Sequence, residues 1–363
     1  MAVCGAVCFI GKPFADGGAF YRSKKPGESH AGWYVLIGIC AAVPCLMVLV
    51  LLLMSADMVF ADLLVRFAGV FRFPVKLLRI LLMLVFGFLS SYCGVRYVQK
   101  HAADIKPSAG KTAEPLIAIA FTAPIAVLYL LFSAIQIVYL FIGNMQLPAG
   151  VTYAEYARRG FFQLLFVCVL NLAAVLSIQS YFKENRVLKA LLLAISGCTL
   201  IMTASSACRM LLYIRAYQLT FLRVSVLVAL AVIALLMAGV IAKIVKPQFP
   251  LFRYGFVLAG AVYLVFAFSH VDYFIAAYNL THTSWEASGE ETVDYSYLYT
   301  LSTDAAPAIE KYAGKSGAAD YRKQGWYQLY CEANEEALNE TGLRTYNVSH
   351  AVAKQLLMED NRE

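Results

Sequence analysis

GWYVLIGICAAVPCLMVLVLLLM, residues Gly32–Met54, contains no charged side chain, and LRVSVLVALAVIALLMAGVIA, residues Leu222–Ala242, contains only Arg223. A helix of about 20 apolar residues crosses a bilayer core of about 30 Å, so each stretch reads as a transmembrane span. The rest of the chain agrees. Of its 363 residues, 61% are hydrophobic and 15% charged, against roughly 45–50% and 25% in soluble domains. This composition excludes a soluble enzyme, a disordered chain and a disulfide-stapled secreted domain. The fold class is all-α: a polytopic bundle of about seven spans with a small helical C-terminal domain.

Length, apolarity and flanking charge place the spans near 32–54, 77–98, 115–142, 161–182, 188–212, 222–244 and 251–273. Pro124 suggests tilt or a kink in the third, because proline removes a backbone hydrogen bond. Between the first two, Phe60, Leu63, Leu64, Phe67 and Phe71 alternate with Asp62, Arg66 and Arg72. That pattern predicts an amphipathic helix in the interface plane. Residues 2–10 are apolar but too short to span and lack the basic start of a secretory signal, so they read as the stub of a further helix.

Charge divides the chain. Residues 1–282 hold 23 Lys+Arg against 9 Asp+Glu, whereas residues 283–363 hold 7 against 14. The expected organisation is an N-terminal segment over 1–30, a transmembrane domain over 31–278 and an acidic soluble tail over 279–363. In the tail, Tyr295, Leu298, Leu301 and Ile309 form an apolar stripe, as do Tyr327, Tyr330 and Leu338. Fourteen basic residues collect on the side of the N-terminus and nine on the other. The positive-inside rule then puts the N-terminus in the cytoplasm and the tail outside the cell membrane.

Several polar residues fall on that outer face: Asp57, Tyr153, Glu155, Arg158, Arg159, Arg209, Tyr213, Arg223 and Asp272. Arg209, Tyr213 and Tyr217 share one helix face, and so do Asp272, Ile275 and Asn279 if the seventh helix continues. A charge at membrane depth needs a partner or water, so Asp57 or Asp272 is the expected partner of Arg209. Plainer readings stand beside these. Thr152 and Glu155 form a capping box, Arg158, Arg159 or Arg209 can snorkel to headgroups, and the tyrosines fit an aromatic belt. Helix–helix hydrogen bonding accounts for most of the mid-membrane polar groups, Gln136, Asn171, Gln179, Thr203 and the Ser205-Ser206 pair.

Zinc-helix, Walker and nucleophile-elbow motifs are absent, and the five histidines are scattered. Cys4 and Cys8 lack a neighbouring His pair. The expectation is a protein without enzymatic activity, metal or cofactor. Its partners are the lipid bilayer and a protein or small ligand at the outer face. Basic residues flank apolar runs instead of forming a stripe with aromatics, so nucleic acid is not expected.

Tyr153-Ala-Glu155-Tyr156-Ala-Arg158-Arg159-Gly160-Phe161-Phe162-Gln163-Leu164 resembles a signature of uncharacterised bacterial multi-pass membrane proteins, those grouped as domains of unknown function 4153 and 4173. Ser206-Ala-Cys-Arg209-Met210-Leu-Leu-Tyr213, followed by Tyr217-Gln-Leu-Thr220-Phe-Leu-Arg223, resembles a second. Leu53-Met-Ser55-Ala56-Asp57 and Asp272-Tyr-Phe-Ile-Ala276-Ala-Tyr278-Asn279 match in kind. The resemblance implies further apolar segments before residue 1 and no settled activity. Paucity of mid-membrane charge and the presence of a soluble tail favour a sensor or scaffold over a solute transporter. On this topology, an impermeant thiol reagent is expected to reach Cys331 in intact cells.

Overall fold

The computed structural model describes residues 31–68, 113–138, 161–282, 284–285, 291–292, 295–312, 325–339 and 347–359. Among them are six helices long and apolar enough to cross a membrane. These are α1 (Ala31–Ala56), α3 (Pro115–Gln136), α4 (Phe161–Tyr181), α5 (Arg186–Tyr217), α6 (Phe221–Val245) and α7 (Leu251–Phe268). A short α2 (Met58–Ala68) follows α1, and α8 (Val271–Thr281) follows α7. The protein is a multi-pass membrane protein with a helical bundle. The expected N-terminal segment and the span at 77–98 lie outside the described residues.

The described chain forms two compact units. The first takes in 31–68, α3, α4, α5 up to Ser206, and Ile233–Tyr254. Small residues set its closest packing. A Cβ on Gly38 of α1 would stand 2.6 Å from both Ala120 Cβ and the Ile117 carbonyl oxygen of α3. Buried Ala41 and Ala42 follow on α1. Apolar helices in lipid gain little from burial against each other, so such close contact between backbones supplies much of the association. The Tyr254 ring likewise lies against Gly239, and its hydroxyl donates to the Leu235 carbonyl at 2.8 Å.

Helix α2 is amphipathic, with Asp62 and Arg66 paired at 2.8 Å on an exposed face. Its apolar face packs on the bundle. Phe60 is fully buried and meets Phe132 edge-on at 5.2 Å, because Asp57 caps α2 and turns the chain back onto the bundle.

The seventh span is shorter than expected. Helix α7 stops at Phe268, and His270 takes a left-handed φ of 46° before α8 begins. Asp272, Ile275 and Asn279 therefore belong to a separate helix. No residue of α7 is buried within the chain, which leaves its Phe252, Phe256 and Tyr263 side chains for lipid.

The second unit takes in Ala207–Val232 and residues from Gly255 onward. Its core joins Ile275, Ala276 and Leu280 of α8 to the tail. The tail contributes a two-residue ladder pairing Ser284–Trp285 with Glu291–Thr292. It continues through α9 (Tyr295–Leu298), a 3₁₀ turn (Thr303–Ala305) and α10 (Ala306–Tyr312). Helices α11 (Gly325–Asn339) and α12 (Val348–Lys354) complete it. Of the expected stripe residues, Leu298, Leu301, Ile309, Tyr327, Tyr330 and Leu338 are buried here and Tyr295 is partly buried. Burial holds the Tyr330 phenol above its ordinary pKa, and the hydroxyl donates to the Ser302 carbonyl at 2.9 Å. Cys331 is partly buried, and burial raises its thiol pKa as well.

The Gly38 contact generates a direct test. Gly38→Val forces α1 and α3 apart and should cost about 1–3 kcal/mol by overpacking. Gly260→Val, at a position with nothing within 4 Å of an added Cβ, should melt close to wild type. Equal melting temperatures in detergent would show that α1 and α3 do not depend on this approach.

Candidate functional site

The polar residues of the first unit bond to one another. Asp57 sits just before α2, where its Oδ1 accepts from the Phe60 amide at 2.9 Å, the geometry of an N-cap. Its Oδ2 accepts from Gln136 Nε2 at 2.8 Å, and Ser205 Oγ donates to Gln136 Oε1 at 2.6 Å. One turn of side chains thus ties α2, α3 and α5. A second set centres on Asn171 of α4. Tyr129 of α3 donates to Asn171 Oδ1 at 2.6 Å, and Asn171 Nδ2 donates to Thr199 Oγ1 of α5 at 2.9 Å. Thr203 donates to the Thr199 carbonyl at 2.8 Å and lies 3.4 Å from Cys168 Sγ. Gln136, Asn171, Thr203 and Ser205 were legible as helix-joining groups. Tyr129 and Thr199 were missed, since a tyrosine or threonine in an apolar run carries no distinguishing signal.

The second unit holds the more unusual constellation. Helix α5 has 32 residues, about 48 Å at 1.5 Å per residue, longer than the hydrocarbon core. It ends at Gln218, a buried residue with a left-handed φ of 65°. Glycine normally takes this place at a helix end. Here side chains hold the turn instead. Asn279 of α8 grips Leu219 at two points, accepting from its amide at 2.8 Å and donating to its carbonyl at 2.9 Å. Gln218 Nε2 donates to the carbonyls of Asn279 at 3.3 Å and His282 at 2.9 Å. Tyr297 of the tail accepts from the Phe221 amide at 2.9 Å.

Arg223 completes the clasp from the first turn of α6. Its Nη1 donates to the Tyr217 carbonyl at 2.6 Å and to the Gln218 carbonyl. These are carbonyls that a helix C-terminus leaves without intrahelical partners. The guanidinium also lies over the Tyr213 ring, 4.4 Å from its centroid, a cation–π contact. Tyr213 in turn meets Tyr217 at 4.9 Å. Arg223 and Tyr213 are therefore together, as parts of a helix-terminating device.

Asp272, one of the two expected partners of Arg209, is engaged elsewhere. Its Oδ2 accepts from the Ser302 amide at 3.1 Å and the Ser302 hydroxyl at 2.6 Å. It anchors the tail to α8 and is not the partner of Arg209. His270 stands 3.5 Å from Asp304, a second tie between the α7–α8 break and the tail. Arg209 is fully buried. Tyr153, Glu155, Arg158 and Arg159 lie outside the described residues. Among the described residues, no group of three or more His, Cys, Asp or Glu side chains is placed to hold a metal ion.

A family described as a domain of unknown function, DUF4153, matches residues 1–312. No curated protein and no solved structure matches the chain. The matched residues include α1 through α10, and so every bond of the clasp.

Two substitutions separate the roles of these residues. Asn279→Ala removes both bonds to Leu219 and should cost about 1–3 kcal/mol, the penalty for stranding buried backbone groups. A buried cation requires compensation of its charge, so Arg209→Ala strands its compensating groups and should cost about 3–5 kcal/mol. Arg66→Ala, whose side chain is 80% exposed, should cost a small fraction of that. Melting temperatures of the three variants in one detergent give the order; an Arg209→Ala protein as stable as Arg66→Ala would show that Arg209 carries no structural charge.

Proposed function

The chain belongs to the DUF4153 family, a domain of unknown function, and from that starting point we propose that it is a non-enzymatic membrane sensor or scaffold. In this reading the C-terminal helical domain receives a protein partner or small ligand. The clasp then transmits binding to the α5–α6 turn. The observation that carries the proposal is the two-point grip of Asn279 on Leu219. A passive appendix needs only a tether. A receiving domain needs a stiff joint to the elements it moves, and hydrogen bonds between fixed groups give one.

The polar groups in the spans favour this reading over transport. The Asp57–Gln136–Ser205 and Tyr129–Asn171–Thr199 chains are buried and bonded among themselves. Such chains join helices, and the cavity that Tyr129 and Asn171 border is lined mainly by apolar residues, whereas a solute path presents polar groups to water. The N-terminus is placed in the cytoplasm and the receiving domain outside, on the bias of basic residues.

Function is tested in cells lacking the gene, by growth and transcript profile. The full chain should restore both. The Asn279→Ala chain should insert to similar levels and restore them only partly, because the joint is loosened. Full rescue by an inserted chain ending at residue 282 would sink the sensor reading and leave transport through the helices.

Topology is tested with a thiol outside the tail core. The raised pKa of Cys331 leaves less thiolate at neutral pH, which slows its labelling. Glu335→Cys, at an exposed position of α11, is the better reporter, made in a Cys331→Ser background. An impermeant maleimide should label it in intact cells. Labelling only after lysis would place the tail in the cytoplasm.

A further inference from the structure

Two cavities in the first unit share a wall. One, of about 270 Å³, is an apolar slot bordered by Cys45 and Leu49 of α1, Phe121 of α3 and Ala174 of α4. The other, of about 360 Å³, is a basic chamber bordered by Lys183, Lys189 and Lys243 with Gln179, Glu184 and Asn185. Ile178 and Phe182, at the end of α4, line both. The chamber gathers the end of α4, the start of α5, the end of α6 and the start of α7. Four span ends meet there, so it stands at the boundary between hydrocarbon and headgroups.

The charge of the chamber is only partly compensated. Lys183 pairs with Glu114 at 3.0 Å, and Lys189 with Glu184 at 2.8 Å. Lys243 Nζ donates to the Pro247 carbonyl at 2.5 Å, a bond that leaves its charge unneutralised. Arg186, Lys246 and Arg253 stand within two residues of lining positions. Cations therefore outnumber carboxylates around the chamber. A neutral lipid would gain nothing from the lysines, and a free anion nothing from the slot. An amphiphile with one anionic end uses both.

We propose that this pair of cavities is a binding site for an anionic phospholipid. Its phosphate lies against Lys189 and Lys243, and an acyl chain enters the slot past Ile178 and Phe182. Basic pockets between transmembrane helices recognise acidic headgroups in this way. The site is independent of the clasp and of the sensor reading.

The test uses the purified full chain in detergent with equal amounts of phosphatidylglycerol and phosphatidylcholine of the same acyl length. Retained lipid is counted by native mass spectrometry. Phosphatidylglycerol should be retained in preference. Lys189→Gln and Lys243→Gln should each lower that preference about fivefold, the effect of one basic residue at a headgroup. Ala174→Trp, at a lipid-exposed position of the slot, should lower retention of both lipids. Raising the salt tenfold on the unaltered protein should erase the preference without any substitution. Excess inorganic phosphate should displace little lipid. Equal retention of the two lipids, a preference unchanged in both Gln variants, or full retention in Ala174→Trp would overturn the proposal. Ready displacement by inorganic phosphate would also overturn it, by reducing the chamber to a site for free anions.

Discussion

One side-chain amide holds three spanning helices together. Asn171 of α4 accepts from Tyr129 of α3 and donates to Thr199 of α5. In water such bonds exchange for bonds to solvent and contribute little net. In hydrocarbon an unbonded amide is costly, so the bundle must supply partners at fixed positions. That requirement fixes the rotation of each helix about its axis. Apolar packing alone is permissive, because lipid tails solvate leucine as well as another helix does. The Gly38 approach then sets the spacing of α1 and α3, and the Asp57–Gln136–Ser205 chain repeats the logic where α2 turns back.

The second unit follows a different physics. Its core is built largely from the tail, with Leu298, Ile309, Tyr330 and Ala353 fully buried. About eighty residues bury little surface, and such domains are marginal alone. Recruiting Ile275, Ala276 and Leu280 from α8 enlarges the core. The same helix carries Asp272 and Asn279, so one element stabilises the tail and grips the turn. Stability and coupling are therefore not separable by cutting the chain after α8.

Six of the expected spans were legible because long apolar runs leave little choice in a bilayer. The tail stripe was legible because helical periodicity survives in residues such as Tyr327 and Tyr330. What escaped was set by backbone angles and distant partners. Ser269, His270 and Asp272 interrupt the apolar run, but a few polar residues at a span end do not reveal a backbone angle, so the left-handed His270 that splits α7 from α8 was not foreseen. Gln218 gave no warning of a helix end, where a glycine would have. Asp272 was read from its helix face, but Ser302, which it binds, lies 30 residues away in the chain. Arg223 was singled out for its charge at a span end. Its capping of Tyr217 and Gln218 became apparent only once the turn had a shape.

The separation of Asn279 from Leu219 also orders biogenesis. Sixty residues of chain part them, and the whole of α6 and α7 must be synthesised in between. At about 5–20 residues per second, the ribosome needs roughly 3–12 s to cover that distance. During this interval the α5–α6 hairpin enters the bilayer with its turn unlocked. Arg223 emerges within the hairpin itself and can cap α5 at once, whereas Asn279 arrives only after α7 has left the ribosome. Closure of the clasp thus reports that α6 and α7 have both been made, and a quality-control protease that recognises exposed turns would discriminate chains that have reached α8 from those stalled before it.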